Sequence, residues 1–491
     1  MICSSSLRER AKELRLWSNA KGVRGGAATL YYPMWHLEYE NLIVLKNNKG
    51  TENTRIRHLD YGVQINDLMI ERFIKNEYIT LFSPNAHPEL YDSYFSDPVK
   101  FRKIYTELEK DPTVAKKRIK AKDAFIAFML ERSNTGRIYP QLVDNVNQYG
   151  PFIRSKAPIK MSNLCAEIAL PTRDVNSEDP LINLCTLSAF VLDKFDYRDQ
   201  EEIDQLSRIM VRSLDNLLDY QDYPVKEALN SKRMRSLGIG VVNYAGWLAS
   251  NFANYQNSNV ITHELFERLQ FGLIKASVNL AKEKGAFEDI SVSKYGKGEL
   301  PIDWYNKHVD ELVEPVYVCD WEGLREDLKK YGIRNATLTA LMPAETSASI
   351  SNSTNGIEPP RSAISTKLSK SGAFKQIVPN YEELGSEYEY AWDMSKKGNK
   401  GYIQKVAIMQ KFVDQSISAN TYYDPENFPT GKVSMKVLID EFLYCWYYSI
   451  KNMYYHNTRD GSDDVMEEDS KSLVELPTES VVDDDCSGCK L

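Results

Sequence analysis

The chain has 491 residues, 42% hydrophobic and 26% charged, with a net charge of −8. That is the composition of a globular protein, and it excludes wholesale disorder. No run of 18 apolar residues occurs, which excludes a membrane-spanning apolar helix. Residues 457–491 carry 11 Asp/Glu against 3 Lys/Arg and account for the whole net charge, leaving 58 residues of each sign in 1–456. A neutral body offers no bulk basic field for nucleic acid. The acidic end, poor in apolar residues, is expected to be a mobile tail. Residues 1–21 are charged and lack the apolar centre of a secretory signal (Arg8, Glu9, Arg10, Lys12). Seven irregularly spaced cysteines form no disulfide framework and suit a reducing cytoplasm.

In chain order, 1–16 reads as a short helix or frayed end and 22–28 as a small-residue loop. Helical patterns follow at 97–108 and 114–132, then apolar runs at 165–170 and 184–192 that read as buried strands. Over 203–220, Ile203, Leu206, Met210, Leu214, Leu217 and Leu218 recur every three or four residues, which predicts a helix with one apolar face. A strand is expected at 238–244 and a helix at 263–284, capped by Thr262 and stopped by Gly285. A strand at 337–342 and helices at 402–417 and 433–450 complete the pattern. Strands separated by long helices predict an α/β fold with parallel strands.

The chemistry-bearing residues centre on Cys165. In an extended segment alternate side chains share a face, so Asn163, Cys165 and Glu167 would face together, with Leu164, Ala166 and Ile168 opposite. An amide, a thiol and a carboxylate make an odd core trio, although a buried cysteine at a strand edge is the bland alternative. Cys185, alone, reads as a small hydrophobe in a strand. Cys486 and Cys489 form a Cys-Ser-Gly-Cys pair on the acidic tail. With no second pair to complete four zinc ligands, a travelling redox pair is the better reading. Cys3, Cys319 and Cys445 show no pattern and read as packing or surface residues. The sequence Pro343-Ala344-Glu345-Thr346-Ser347 follows a predicted strand, where α/β folds bind ligands, and it is equally an ordinary helix start.

Asn-Leu-Cys-x-Glu at 163–167, Leu-Cys-Thr-Leu at 184–187, Pro-Ala-Glu-Thr-Ser at 343–347, Asn-Gly-Ile-Glu-Pro-Pro at 355–360, Tyr-Tyr-x-Asn-Thr-Arg-Asp-Gly at 454–461 and a terminal cysteine pair occur in this order. From about Gly22 to Leu491 the chain resembles the large, catalytic subunit of class I (aerobic) ribonucleotide reductase. The resemblance implies a ten-stranded α/β barrel with a central finger loop, within a domain spanning 22–456, after a non-matching start at 1–21 and before the tail at 457–491. It implies that Cys165 becomes the thiyl radical that removes the 3′ hydrogen of a ribonucleotide. Glu167 would then be the general base for the 3′ hydroxyl, Asn163 would orient that hydroxyl, and Cys185 would be one of two reducing thiols. It assigns the substrate diphosphate to Pro343, Ala344, Glu345, Thr346 and Ser347. The loop Gly22, Val23, Arg24, Gly25 and Gly26 would sense nucleoside triphosphate effectors, ATP or a deoxynucleotide with magnesium.

The same resemblance makes Tyr454 and Tyr455 a radical relay from a small subunit that generates the radical at a metal centre. An aromatic cross-strand pair is the plain alternative. Cys486 and Cys489 would shuttle reducing equivalents from thioredoxin or glutaredoxin. No cofactor is expected to bind this chain directly, and neither nucleic acid nor membrane is an expected partner. The family's other reducing thiol and first barrel strands lie upstream of the matched region, so a separate N-terminal chain is expected to supply them. A split gene hints at a phage source, and hence a host cytoplasm. A glycyl-radical anaerobic enzyme would carry a Gly radical site in a characteristic sequence near the C-terminus, and no such sequence is found. A cobalamin-dependent class II reductase needs no tyrosine relay, and a non-catalytic scaffold fragment has no use for the thiols and the acid.

Overall fold

A computed structural model describes residues 27–51, 54–369 and 372–459. Cys3, the loop Gly22–Gly26, and the tail beyond Arg459 with Cys486 and Cys489 lie outside the described residues. In chain order the strands are β1 (Thr29–Pro33), β2 (Asp60–Ile65), β3 (Tyr78–Leu81), β4 (Lys117–Lys120), β5 (Ile138–Leu142), β6 (Leu187–Val191), β7 (Gly238–Val242), β8 (Ile364–Ser369), β9 (Gly372–Ile377), β10 (Thr421–Tyr423) and β11 (His456–Thr458). Strands β1, β2 and β5 form one parallel sheet with β2 central. Pairs β6–β7 and β10–β11 are also parallel, whereas β3–β4 and β8–β9 are antiparallel. The expectation of parallel strands between helices is met in these layers.

Both β2 and β5 are buried along their whole length, so they tolerate polar residues only as pairs. Gln64 Nε2 donates to Gln141 Oε1 across the two strands at 3.1 Å. Pro140 fits in β5 because its backbone faces away from β2, where its carbonyl accepts Met453 N at 3.2 Å.

A second layer starts at β6–β7 and continues through two extended segments. Residues 337–342 lie beside β7, with Leu237 N donating to Thr337 O (2.9 Å) and Ile239 N to Leu338 O (2.7 Å). Residues 414–418 lie beside 337–342, with Leu341 N donating to Ser416 O (3.1 Å) and Ser418 N to Leu341 O (2.9 Å). The expected strand at 337–342 is therefore an extended segment joined by isolated parallel bridges, Ile239–Thr339 and Leu341–Ile417. Side chains interrupt its ladder. Asp414 Oδ2 accepts Leu338 N at 2.7 Å, and Gln415 Nε2 donates to Leu237 O at 2.9 Å and to Thr337 Oγ1 at 3.2 Å.

Among the described residues these sheets do not close into the ten-stranded barrel expected from the resemblance. The ladder breaks where side chains replace backbone partners.

Helices cover the layers. The helix Gln200–Tyr220 begins at Asp199, whose carboxylate accepts the N–H groups of Glu201 and Glu202, and it packs on Asn259–Lys284. That second helix starts earlier than expected. Thr262 is inside it, its hydroxyl donating to Ser258 O at 2.7 Å, while Gly285 ends it as expected at φ 83°. The pattern at 97–108 forms the helix Pro98–Lys110. The pattern at 114–132 divides into β4 and the helix Ala121–Thr135, which ends at Gly136 in the left-handed region. The expected helix at 402–417 stops at Phe412, because Asp414 and Gln415 are committed to the second layer. The helix Met435–Tyr447 is capped by the Ser434 hydroxyl.

One buried cation fastens the two layers. Lys451 Nζ is inaccessible and donates to the carbonyls of Asp414 (2.8 Å), Gln415 (2.5 Å) and Val413 (3.4 Å). Its own carbonyl accepts Leu142 N at the edge of β5 (2.9 Å). Burial lowers the Lys451 amine to about 7, with Asp414 opposing the shift. Substituting Lys451→Met leaves these carbonyls without their donor. It is expected to destabilise the fold by about 3 kcal/mol in urea titrations, and a loss below about 1 kcal/mol contradicts the tethering role.

Candidate active site

The strand expected at 165–170 does not form. Residues 163–167 make a turn between the two layers, with Ala166 N donating to Asn163 O at 3.4 Å and Ala166 at φ 66°. A left-handed alanine is strained by about 1 kcal/mol, and donors around the turn hold it there. Ser418 Oγ donates to Cys165 O (2.5 Å), Asn452 Nδ2 to Ala166 O (2.8 Å) and Ser416 N to Glu167 O (2.9 Å). From the β1 side, Tyr31 OH reaches Asn163 O (3.2 Å) and Thr29 Oγ1 reaches Leu164 O (3.4 Å). Ala169 N donates to Gln415 Oε1 at 3.0 Å and fixes the exit.

The same-face expectation for an extended segment is therefore replaced by a turn that brings amide and acid together directly. Asn163 Nδ2 donates to Glu167 Oε1 at 2.8 Å. Asn163 Oδ1 accepts Ile168 N at 3.2 Å, which orients the amide. Cys165 and Glu167 are both fully buried, and Asn163 is half-buried.

Cys185 precedes β6 and is exposed as a residue, although its thiol is crowded by protein atoms. That crowding, and then the Glu167 carboxylate, raise its pKa. The Glu167 charge thus reaches Cys185. Tyr31 is raised mainly by burial, with contributions from Glu167 and Cys165.

The buried thiol belongs to a small aromatic cluster with Ala166, Tyr139 and Tyr454, and Tyr455 packs beside it. Tyr454 and Tyr455 are stacked, with ring centroids 3.8 Å apart at 28°. Tyr139 lies 5.0 Å from Tyr454, and its hydroxyl donates to Asp60 Oδ2 at 2.9 Å. Arg137 sits over the Tyr455 ring at 5.0 Å. The backbone of the pair is pinned: Tyr454 N donates to Ala419 O (2.7 Å), Tyr455 N to Asn420 Oδ1 (3.0 Å) and Arg132 to Tyr454 O (2.7 Å).

Residues 343–347 lie at the carboxyl end of the segment 337–342. The short helix Glu345–Ile350 starts there, and Thr346 and Ser347 are exposed. Asn355 Oδ1 accepts Ala344 N at 2.7 Å and joins this loop to residues 355–360. Glu358, half-buried, accepts from Tyr422 OH at 3.1 Å. Among the described residues no group of three or more His, Cys, Asp and Glu side chains is arranged to hold a metal ion, and no helix is long and apolar enough to cross a membrane.

The structure brings Asn163, Cys165, Glu167, Tyr454 and Tyr455 together, with Cys185 within electrostatic reach. Of the unassigned cysteines, Cys445 is buried and Cys319 half-buried. Tyr139, Arg137, Asn452 and Ser418 are neighbours that sequence reading does not single out. For Ser418 the one signal is the alternation of polar residues Ser416, Ser418 and Asn420, in a segment that the structure buries throughout; Tyr139, Arg137 and Asn452 carry none.

Parallel layers around an internal turn that carries a buried thiol and a carboxylate beside a tyrosine stack make an α/β core with a candidate site at its centre. Residues 15–386 and 380–456 match the model of the ribonucleotide reductase barrel domain, and the chain belongs to that family. It is 62% identical over 473 residues to the ribonucleoside-diphosphate reductase subunit alpha of Enterobacteria phage T4, covering 96% of this chain and 61% of that protein. It is 53% identical over 478 residues to the subunit alpha of Haemophilus influenzae, and 52% over 476 residues to ribonucleoside-diphosphate reductase 1 subunit alpha of Escherichia coli K12, with the same coverages. The chain thus spans 61% of the length of these curated relatives.

The Glu358 carboxyl is pushed up to about 7, first by burial and then by the Glu345 carboxylate, against the Tyr422 hydrogen bond and Arg361. A carboxyl raised on folding contributes stability that is full below its unfolded value of 4.5 and is lost as pH rises through about 7. Glu358→Gln removes this dependence. The variant's Tm relative to the parent is expected to rise by about 2 °C between pH 5 and pH 8. A difference that stays flat with pH contradicts the assignment.

Proposed function

We propose that this chain, with the polypeptide that supplies the rest of its relatives' length, reduces ribonucleoside diphosphates to 2′-deoxyribonucleotides as the catalytic part of a class I reductase. The observation that carries this reading is the fully buried Cys165 thiol, set beside the Glu167–Asn163 pair and packed in one cluster with Tyr454. A sulfur radical needs a dry pocket that excludes side reactions. Cys165 as a thiyl takes the 3′ hydrogen atom of the ribose. Glu167 takes the 3′ hydroxyl proton as general base while Asn163 holds the geometry. The 2′ hydroxyl leaves as water, with two electrons and two protons supplied by Cys185 and a second thiol, which end as a disulfide. Cys165 then returns its hydrogen to C3′. The raised pKa of Cys185 keeps it a thiol, the form that can give up a proton.

Tyr454 and Tyr455 relay the radical from a small subunit that holds the radical-generating metal centre. The 3.8 Å stack makes the step between them short. The tail Cys486 and Cys489 would reduce the active-site disulfide and be reduced in turn by thioredoxin or glutaredoxin. Residues 343–347 would hold the diphosphate, and Gly22–Gly26 would relay the nucleotide effector. The missing strands and the second thiol, which would complete a ten-stranded barrel, come from polypeptide outside these 491 residues.

The test uses the assembled reductase. Cys165→Ser is expected to abolish deoxynucleotide formation while nucleotide binding persists, and retained turnover overturns the reading. Tyr454→Phe keeps the packing and removes the oxidisable hydroxyl. Its turnover is expected to fall at least 100-fold, and activity near the parent level would favour a reductase without a tyrosine relay.

A further inference from the structure

Ser418 is buried, and its hydroxyl oxygen touches two parts of the site at once. It lies 2.5 Å from the carbonyl oxygen of Cys165 and 3.3 Å from Glu167 Oε2. A serine hydroxyl has one proton and two acceptor lone pairs. One proton cannot serve both contacts, and the shorter one holds it. The proton lies on the short bond to Cys165 O, and a lone pair of Ser418 Oγ faces Glu167 Oε2.

The other oxygen of the acid is engaged differently, since Glu167 Oε1 receives the N–H of Asn163 at 2.8 Å. A proton arriving on Glu167 therefore settles on Oε2, pointing at an oxygen that is ready to accept it. Ser418 is fixed for this by its own backbone, whose N–H donates to Leu341 O at 2.9 Å. The titratable groups facing Glu167 include Cys165 on the same turn, Tyr31 on β1 and Cys185 ahead of β6.

We infer that Ser418 is a positioning residue that holds the protonated form of Glu167 while fixing the backbone of Cys165. This rests on the general-base reading of Glu167 and extends it. As the substrate's 3′ O–H bond breaks, its proton passes to Glu167 Oε2, and the new carboxylic O–H donates to Ser418 Oγ. The Ser418 proton stays on Cys165 O. No electron leaves the substrate by this route, and the proton returns to the substrate oxygen by the reverse path.

The test is the pH profile of kcat/KM for ribonucleoside diphosphate reduction by the assembled reductase. In Ser418→Ala, loss of the acceptor destabilises the acid form of Glu167. The expected result is about a tenfold lower kcat/KM and an acid limb displaced downward by about half a pH unit or more. Ser418→Thr, which keeps the hydroxyl, is expected to restore both. Ser418→Cys, near the same size and a weak acceptor, is expected to shift the limb as alanine does, and it carries the test where the alanine variant does not fold. An unmoved limb reduces Ser418 to a brace of the Cys165 backbone and overturns the inference. An upward shift also overturns it, by making the hydroxyl a donor to the carboxylate. Glu167→Gln separates the two levels: if it retains activity the general-base reading itself fails, whereas an inactive Glu167→Gln beside an unmoved limb sinks only the role of Ser418.

Discussion

The structure depends on holding one left-handed turn, 163–167, between two layers that never share a continuous ladder. Ala166 at φ 66° is a conformation the backbone adopts unwillingly. It persists because Ser416, Ser418 and Asn452 place donors on three consecutive carbonyls, those of Glu167, Cys165 and Ala166. Those donors stand on segments 414–418 and 451–453, which Lys451 fastens to each other. The placement of the turn is thus set by its backbone. The Cys165 thiol is buried because its own main chain has no freedom to swing it out.

The second consequence is the join between the turn and the aromatic stack. Asn452 braces the turn, and Tyr454 follows two residues later, its N–H on Ala419 O. A single short run, 451–455, therefore positions the finger turn and the tyrosine pair. Any shift of that run moves the turn and the rings together. Asn163 donates to one oxygen of Glu167 and so orients the acid, and the Ser418 hydroxyl oxygen lies beside the other.

Much of this was legible in the sequence, for physical reasons that differ by element. The helix Gln200–Tyr220 is legible because apolar residues recur every three or four positions, although the face it buries includes Val211 and leaves Leu217 exposed, and Gly285 marks a helix end by its backbone freedom. The spacing of Asn163, Cys165 and Glu167 points to a shared location, but not to its geometry. Period-two reasoning assumes an extended chain, and nothing local in Asn-Leu-Cys-Ala-Glu specifies a left-handed alanine. That conformation is imposed by donors some 250 and 290 residues away, at Ser418 and Asn452. The helix expected through 417 stopped at Phe412 for a similar reason, since Asp414 and Gln415 bond across to 337–338 and Leu237. Ser418, Arg137 and Tyr139 gave no motif, because each matters only through a neighbour distant in sequence.

The central claim is that the sulfur of Cys165 takes a hydrogen atom from C3′ of a bound ribonucleotide. The most direct measurement is a competition between 3′-hydrogen and 3′-deuterium forms of a ribonucleoside diphosphate in the assembled reductase. Discrimination against deuterium is expected, with the label retained at C3′ of the deoxynucleotide product. Loss of the label to solvent, or product carrying none at C3′, would contradict return of the same hydrogen from a sheltered thiol.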